Sequence, residues 1–106
     1  MDDLISVIVP VYNVEDYLEK SLSSLLIQTY RKLQVIIIDD GSTDNSGEIC
    51  DYYGANDGRI EVYHIQNAGV SNARNQGLNY AKGKYIYFLI RMIPLSRMRF
   101  GRSINK

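Results

Sequence analysis

Val35-Ile36-Ile37-Ile38-Asp39-Asp40-Gly41-Ser42-Thr43-Asp44 decides how the chain folds. Four consecutive β-branched apolar residues without alternation predict a strand buried on both faces, the condition of a parallel sheet. The run stops in two carboxylates, a glycine and three residues of helix-capping type. A strand that ends in acids and turns straight into a helix start puts those acids at the carboxyl edge of the sheet. Open α/β folds bind their ligands along that edge.

Working outward, Ile5-Ser6-Val7-Ile8-Val9-Pro10 predicts a first strand, with Pro10 at its end because proline has no N–H to donate. Asn13 is a candidate N-cap. Val14, Tyr17, Leu18, Ser21, Leu22, Leu25 and Leu26 recur at helical spacing and predict an amphipathic helix over 14–28. The second strand covers 33–39. Ser42, Thr43 or Asp44 caps a second helix to about Tyr53, and 60–65 reads as a third strand. A third helix opens at Ser71 or Asn72 and runs to Ala81, with Gly83 as its C-cap glycine; 85–89 is the fourth strand. Strict alternation of strand and helix implies a parallel α/β sheet with right-handed crossovers.

With 106 residues the chain is at most one domain. Twelve acids balance twelve Lys and Arg residues, so net charge draws it toward neither nucleic acid nor membrane. The balance is uneven along the chain: all acids lie at or before Glu61, giving 1–61 a net of −8 and the remainder +8. The single cysteine, Cys50, excludes an intrachain disulfide, fits a reducing compartment and reads as a small buried helix residue. The start lacks the basic segment of a signal peptide, and the apolar run 85–90 is far short of a membrane span. These features predict a cytoplasmic domain and leave a peripheral place on the membrane's inner face open.

Four clusters reach one sheet edge: Pro10 to Asn13, Asp39-Asp40, Gln66 to Gly69, and whatever follows Leu89. A reversal of strand order between the first and fourth strands would open a crevice there. No glycine-rich phosphate loop is present. Carboxylates suit groups that donate hydrogen bonds, such as a base N–H or sugar hydroxyl, or a divalent metal. Tyr12 can stack on a planar base. The edge therefore suits a nucleotide held by base and ribose, its phosphates needing a metal bridge.

Three segments resemble successive signatures of the family 2 glycosyltransferases: Ile5 through Asn13, Val35 through Asp44, and Asn67-Ala68-Gly69-Val70-Ser71-Asn72-Ala73-Arg74-Asn75-Gln76-Gly77-Leu78. The resemblance covers 4–89. It implies a Rossmann-like GT-A three-layer α/β/α sandwich, here incomplete, with four parallel strands and three helices. It implies inverting transfer from a nucleotide sugar, a UDP-sugar foremost, to a carbohydrate or lipid-linked acceptor. By resemblance, Pro10, Tyr12, Asn13, Asp39, Asp40, Asn67 and Arg74 form the nucleotide site. Tyr12 stacks on the base, Asp40 accepts its ring N–H, and Asp39 supports from nearby. Segment 67–74 lines the donor pocket, with Arg74 meeting either phosphate or a structural carboxylate.

The resemblance also implies an Asp-x-Asp word after the fourth strand, holding Mg²⁺ or Mn²⁺. The chain has Ile90-Arg91-Met92-Ile93 there, without a metal ligand among them. Asp-Ser-Asp-Asp written as GAT-TCG-GAT-GAT becomes Ile-Arg-Met-Ile when its first nucleotide is lost. The expectation is a nucleotide-sugar-binding half over 1–89 and an out-of-frame basic tail over 90–106, with no catalytic residue of its own. Other readings stand beside it: Asp39, Asp40 and Asp44 as capping or turn residues, Tyr12 as packing, Arg74 as an ion pair, His64 as a packed or exposed histidine. A non-catalytic remnant with weak or no nucleotide binding is the alternative function; a receiver-like signalling domain fits poorly, because the third strand ends in Gln66-Asn67. An exposed fourth strand, or the tail, would invite self-association.

Overall fold

A computed structural model describes residues 3–27, 30 and 32–89. The elements follow as β1 (Ile5–Val11), α1 (Glu15–Ile27), β2 (Leu33–Asp40), α2 (Ser46–Asn56), β3 (Ile60–Ile65), α3 (Val70–Tyr80) and β4 (Tyr85–Phe88). The four strands are all parallel, in the order β3-β2-β1-β4. The predicted tail, 90–106, and its relation to the fourth strand lie outside the described residues.

The alternation of side chains along β1 and β2 splits the core in two. Ile5, Val7, Val9 and Val11 with Leu33, Val35 and Ile37 face Leu18, Leu22 and Leu25 of α1 and Cys50 of α2. Ile8, Ile36 and Ile38 face the opposite side, against Ala73 of α3. Both faces of β2 are thus covered, which is why its apolar run shows no alternation. The result is the α/β/α sandwich expected. Helices α1 and α2 carry the chain outward to β3 on one face; α3 returns it across the other face to β4, beside β1. The direction of winding therefore reverses between β1 and β4, the switch point at which open α/β sheets place their ligands.

Several boundaries differ from expectation for local reasons. β1 continues through Pro10, which pairs with Ile38 in register. Ile5 donates to Lys32 on the β2 side, so the position of Pro10 in the alternation turns its missing N–H toward β4. The register between β1 and β4 ends before that point, at Ile8 and Phe88, with Leu89 N–H donating to the Ile8 carbonyl. Gly83 is no helix cap: α3 ends at Tyr80 with Ala81 as its C-cap. A Cβ on Gly83 would sit 2.6 Å from Ser6 N, so glycine lets the α3–β4 connection lie against the start of β1. Cys50 is buried in α2 as expected. No described helix is long and apolar enough to cross a membrane.

Candidate functional site: the carboxyl edge of the sheet

The site is built where the β1–α1, β2–α2 and β3–α3 loops meet. The register pairs Val11 with Asp39, so Tyr12 and Asp40, one residue on in each chain, emerge side by side. Tyr12 is about half exposed, 49 %, and free to meet a planar ligand.

Asn13 is not the N-cap of α1. The first backbone bonds of the helix, from Tyr17 and Leu18 N–H, both run to the Val14 carbonyl. Asn13 instead takes a left-handed backbone, φ 50°, a conformation asparagine tolerates better than most residues. Its Oδ1 accepts from Thr43 N–H at 2.8 Å and Asp44 N–H at 3.2 Å. The favour is returned across the loops. Asn13 N–H donates to Ser42 Oγ, Val14 N–H to Ser46 Oγ, and Glu15 N–H to Asp44 Oδ2, at 3.1, 2.9 and 3.2 Å. Asn45 N–H donates to Glu15 Oε1 at 2.8 Å. Donors at the starts of two helices, which no intrahelical carbonyl can satisfy, are thereby met by the opposite loop. The expected caps of α2 are corrected in the same way: its N-cap position is Asn45, which makes no side-chain cap, while Asp44 Oδ1 accepts from Ser46 N–H at 2.8 Å.

The two acids of β2 point to opposite faces, as adjacent strand residues must. Asp40, buried, turns toward α3. Its Oδ1 accepts from Ala68 N–H at 2.9 Å; its Oδ2 accepts from Gly69 N–H at 3.0 Å and from Asn67 Nδ2 at 3.3 Å. Asn67 Nδ2 also donates to the Asp40 carbonyl at 2.9 Å. A carboxylate from β2 therefore orders the start of α3, which begins at Val70 after Gly69 rather than at Ser71 or Asn72. Gly41, at φ 74°, makes room for this: a Cβ there would lie 2.7 Å from Asn67 N.

Asp39, also buried, turns toward α2. Its Oδ1 accepts from Ser42 N–H at 3.0 Å, and its Oδ2 lies 2.7 Å from His64 Nδ1. The other ring nitrogen of His64 lies 2.8 Å from Asp51 Oδ1. Those bonds, first to Asp39 and then to Asp51, hold the imidazole above its ordinary value of 6.5 against the opposing effect of desolvation. Close by, burial and then the Asp39, Asp51 and Asp44 carboxylates push the Cys50 thiol up to about 12. It is inert as a nucleophile. His64 is thus neither merely packed nor merely exposed; only its position opposite Asp39 reveals this, and that register is invisible in the sequence.

Arg74 lies in the first half of α3, one turn before Gly77, whose position against Ile8 sets α3 on β1. Because α3 runs back against the strand direction, Arg74 is nearer the carboxyl edge. Its Nε is buried with no hydrogen-bond partner, and it makes no ion pair among the described residues. An unsatisfied buried donor costs about 1–3 kcal/mol. It is thus a donor in want of an acceptor.

Among the described residues no group of three or more His, Cys, Asp and Glu side chains could hold a metal ion. Asp39 is committed to His64 and Ser42, and Asp40 to the loop before α3, so these acids do not fit a divalent cation. The place of the expected Asp-x-Asp word, 90–93, lies outside the described residues.

The sequence profile of Glycosyl transferase family 2 matches residues 6–89. The chain is 52 % identical over 89 residues to the glycosyltransferase GlyA of Streptococcus pneumoniae, covering 84 % of this chain and 13 % of GlyA. It is 49 % identical over 87 residues to GlyG of the same organism, covering 81 % of this chain and 29 % of GlyG. Among solved structures it resembles TarS 1–349 of S. aureus in complex with UDP, with TM-score 0.73 and 35 % identity, over 80 % of this chain and 26 % of that one. It also resembles the mannosyltransferase PcManGT of Pyrobaculum calidifontis in complex with GDP-Man and Mn²⁺, with TM-score 0.71 and 26 % identity, over 77 % of this chain and 25 % of that one. The chain spans less than a third of each of these four proteins. The fold, the ordered signatures and these likenesses agree that the chain belongs to glycosyl transferase family 2.

Proposed function

We propose that residues 1–89 are the nucleotide-sugar-binding half of a glycosyltransferase, with a UDP-sugar as donor and a carbohydrate or lipid-linked acceptor. One observation carries the reading: at the carboxyl ends of β1 and β2 an exposed tyrosine ring and a buried carboxylate emerge at neighbouring positions, and the first half of α3 holds a buried guanidinium N–H without an acceptor. In this reading Tyr12 stacks on the base and Asp40 accepts its ring N–H. Three of the roughly four acceptor positions of that carboxylate are already filled, which leaves one on Oδ1. A single free position matches the one ring N–H of uracil better than the two adjacent donors of guanine. Arg74 supplies its unpaired donor to a phosphate oxygen, and Asn67 borders the pocket. Pro10, Asn13 and Asp39 shape the edge.

In the complete enzyme the acceptor hydroxyl attacks the anomeric carbon from the face opposite the nucleotide. The new C–O bond forms as the bond to the diphosphate oxygen breaks; that oxygen keeps the electron pair, and a carboxylate base takes the hydroxyl proton. The two carboxylates of β2 at this edge are already engaged, Asp39 by His64 and Ser42 and Asp40 by the loop before α3, and in this reading residues 1–89 bind without transferring. In the family a divalent cation supplies charge stabilisation to the leaving diphosphate; the described residues would not hold it. A second reading, a remnant without nucleotide binding, draws on the fact that Asn13 and Asp40 already have internal partners.

Calorimetry with UDP separates the two. Weak binding, equal with Mn²⁺ or with chelator and lost in Tyr12→Ala, supports the proposal; no heat with the folded chain supports the remnant. For 90–106 the proposal is an out-of-frame extension. Sequencing the DNA after the Leu89 codon decides it, an acidic word in the restored frame being the expected result.

A further inference from the structure

We propose that His64 is a positioning residue of the nucleotide edge: in its protonated form it holds Asp39, and through Asp39 the turn 41–44 that bonds Asn13, the neighbour of Tyr12 in the chain. The nucleotide part of this inference rests on the function proposed above; the coupling of His64 to the turn does not.

The geometry favours two protons on the ring. Both ring nitrogens lie at hydrogen-bond distance from carboxylate oxygens, 2.7 Å to Asp39 and 2.8 Å to Asp51. A neutral imidazole has one N–H donor, so only the imidazolium serves both. Losing the proton turns one ring lone pair toward a carboxylate. At Asp39 that change is felt most, because its side chain is only 6 % exposed and water cannot replace the lost partner.

From Asp39 the effect has a defined path. Its second oxygen accepts from Ser42 N–H, and Ser42 Oγ accepts from Asn13 N–H, next to Tyr12. The groups facing His64 are Asp39 from β2 and Asp51 from α2, with the neutral Cys50 thiol near the same carboxylates. Gly47 of α2 completes the pocket: a Cβ there would lie 3.0 Å from Asp39 Oδ2 and 3.6 Å from His64 Cε1. Since the folded imidazole is held above 6.5, the latch is fully present below that value and is lost as pH rises through the folded one.

His64 is the single histidine of the chain, so its Cε1–H resonance stands alone. NMR of the full chain across its titration should show the Ser42 and Asn13 amides moving with the His64 midpoint. UDP and uridine, the latter without a phosphate to titrate, should each bind about fivefold more weakly above that midpoint, the low end of couplings between sites. In His64→Gln both responses should be flat. If that variant fails to fold, Asp51→Asn, at an exposed position, should lower the His64 midpoint and take the Ser42 curve down with it. A Ser42 amide that stays still while His64 titrates, or that keeps its midpoint in Asp51→Asn, overturns the proposal. If neither ligand binds at any pH, the nucleotide reading fails, and the Ser42 curve still decides the latch.

Discussion

Asp40 meets one demand in the structure, ordering the start of α3, and a second in the proposed function, presenting an acceptor to a base. The first demand is testable without ligand. Asp40→Asn replaces an oxygen that accepts from Ala68 or Gly69 N–H by an amino group, setting donor against donor in a buried place. It should cost about 1–3 kcal/mol, read as a lower urea midpoint at unchanged slope. That an acid pair would stand at this edge was legible, because a buried strand ending in Asp-Asp leaves it no other place. The division of labour was not written in the residues. Adjacent strand positions face opposite ways, so Asp39 and Asp40 serve different helices, and Asn13 spends its carboxamide on the neighbouring loop instead of its own helix. Each of these depends on which strand lies alongside, a fact that spacing within one segment does not contain.

Among the elements, α3 is set by close approach more than by apolar bulk. Its buried residues are Ala73 and Gly77, and a Cβ on Gly77 would fall 2.5 Å from Ile8 Cγ2. Gly77→Ala must therefore move the helix or Ile8; overpacking of this kind costs about 2 kcal/mol. For a domain of this size the melting temperature should fall by roughly 10 °C. Helix and strand existence was readable throughout, since the helical spacing of α1, the unbroken apolar run of β2 and the capping and turn residues between elements are local properties. Helix starts were not. α1, α2 and α3 each begin later or earlier than their best capping residue suggests, because N–H groups at or just before their starts reach side chains about thirty positions away: Glu15 to Asp44, Asn45 to Glu15 and Gly69 to Asp40. Gly83 shows the same limit: a glycine after a helix reads as a cap, whereas here it relieves contact with β1.

For the whole molecule, alternation of strand and helix was enough to give a parallel sheet covered on both sides, because crossovers of one hand leave few alternatives. The reversal between β1 and β4, which places the crevice, could only be posed as a condition. β4 is one of the two edge strands of the described sheet, with Tyr85 and Ile86 39 % and 44 % exposed. An edge that no other described strand pairs with favours pairing with another chain. Self-association of the isolated chain is therefore expected, and Ile86→Lys should shift sedimentation toward the monomer. If nucleoside recognition sits at the rim where Tyr12 and Asp40 emerge, chemical-shift mapping with UDP on the ¹⁵N-labelled chain should show shifts concentrated at Tyr12, Asp40, Ala68, Gly69 and Arg74. A folded chain whose shifts centre elsewhere, or which shows none at saturating UDP, would place recognition away from that rim or remove it.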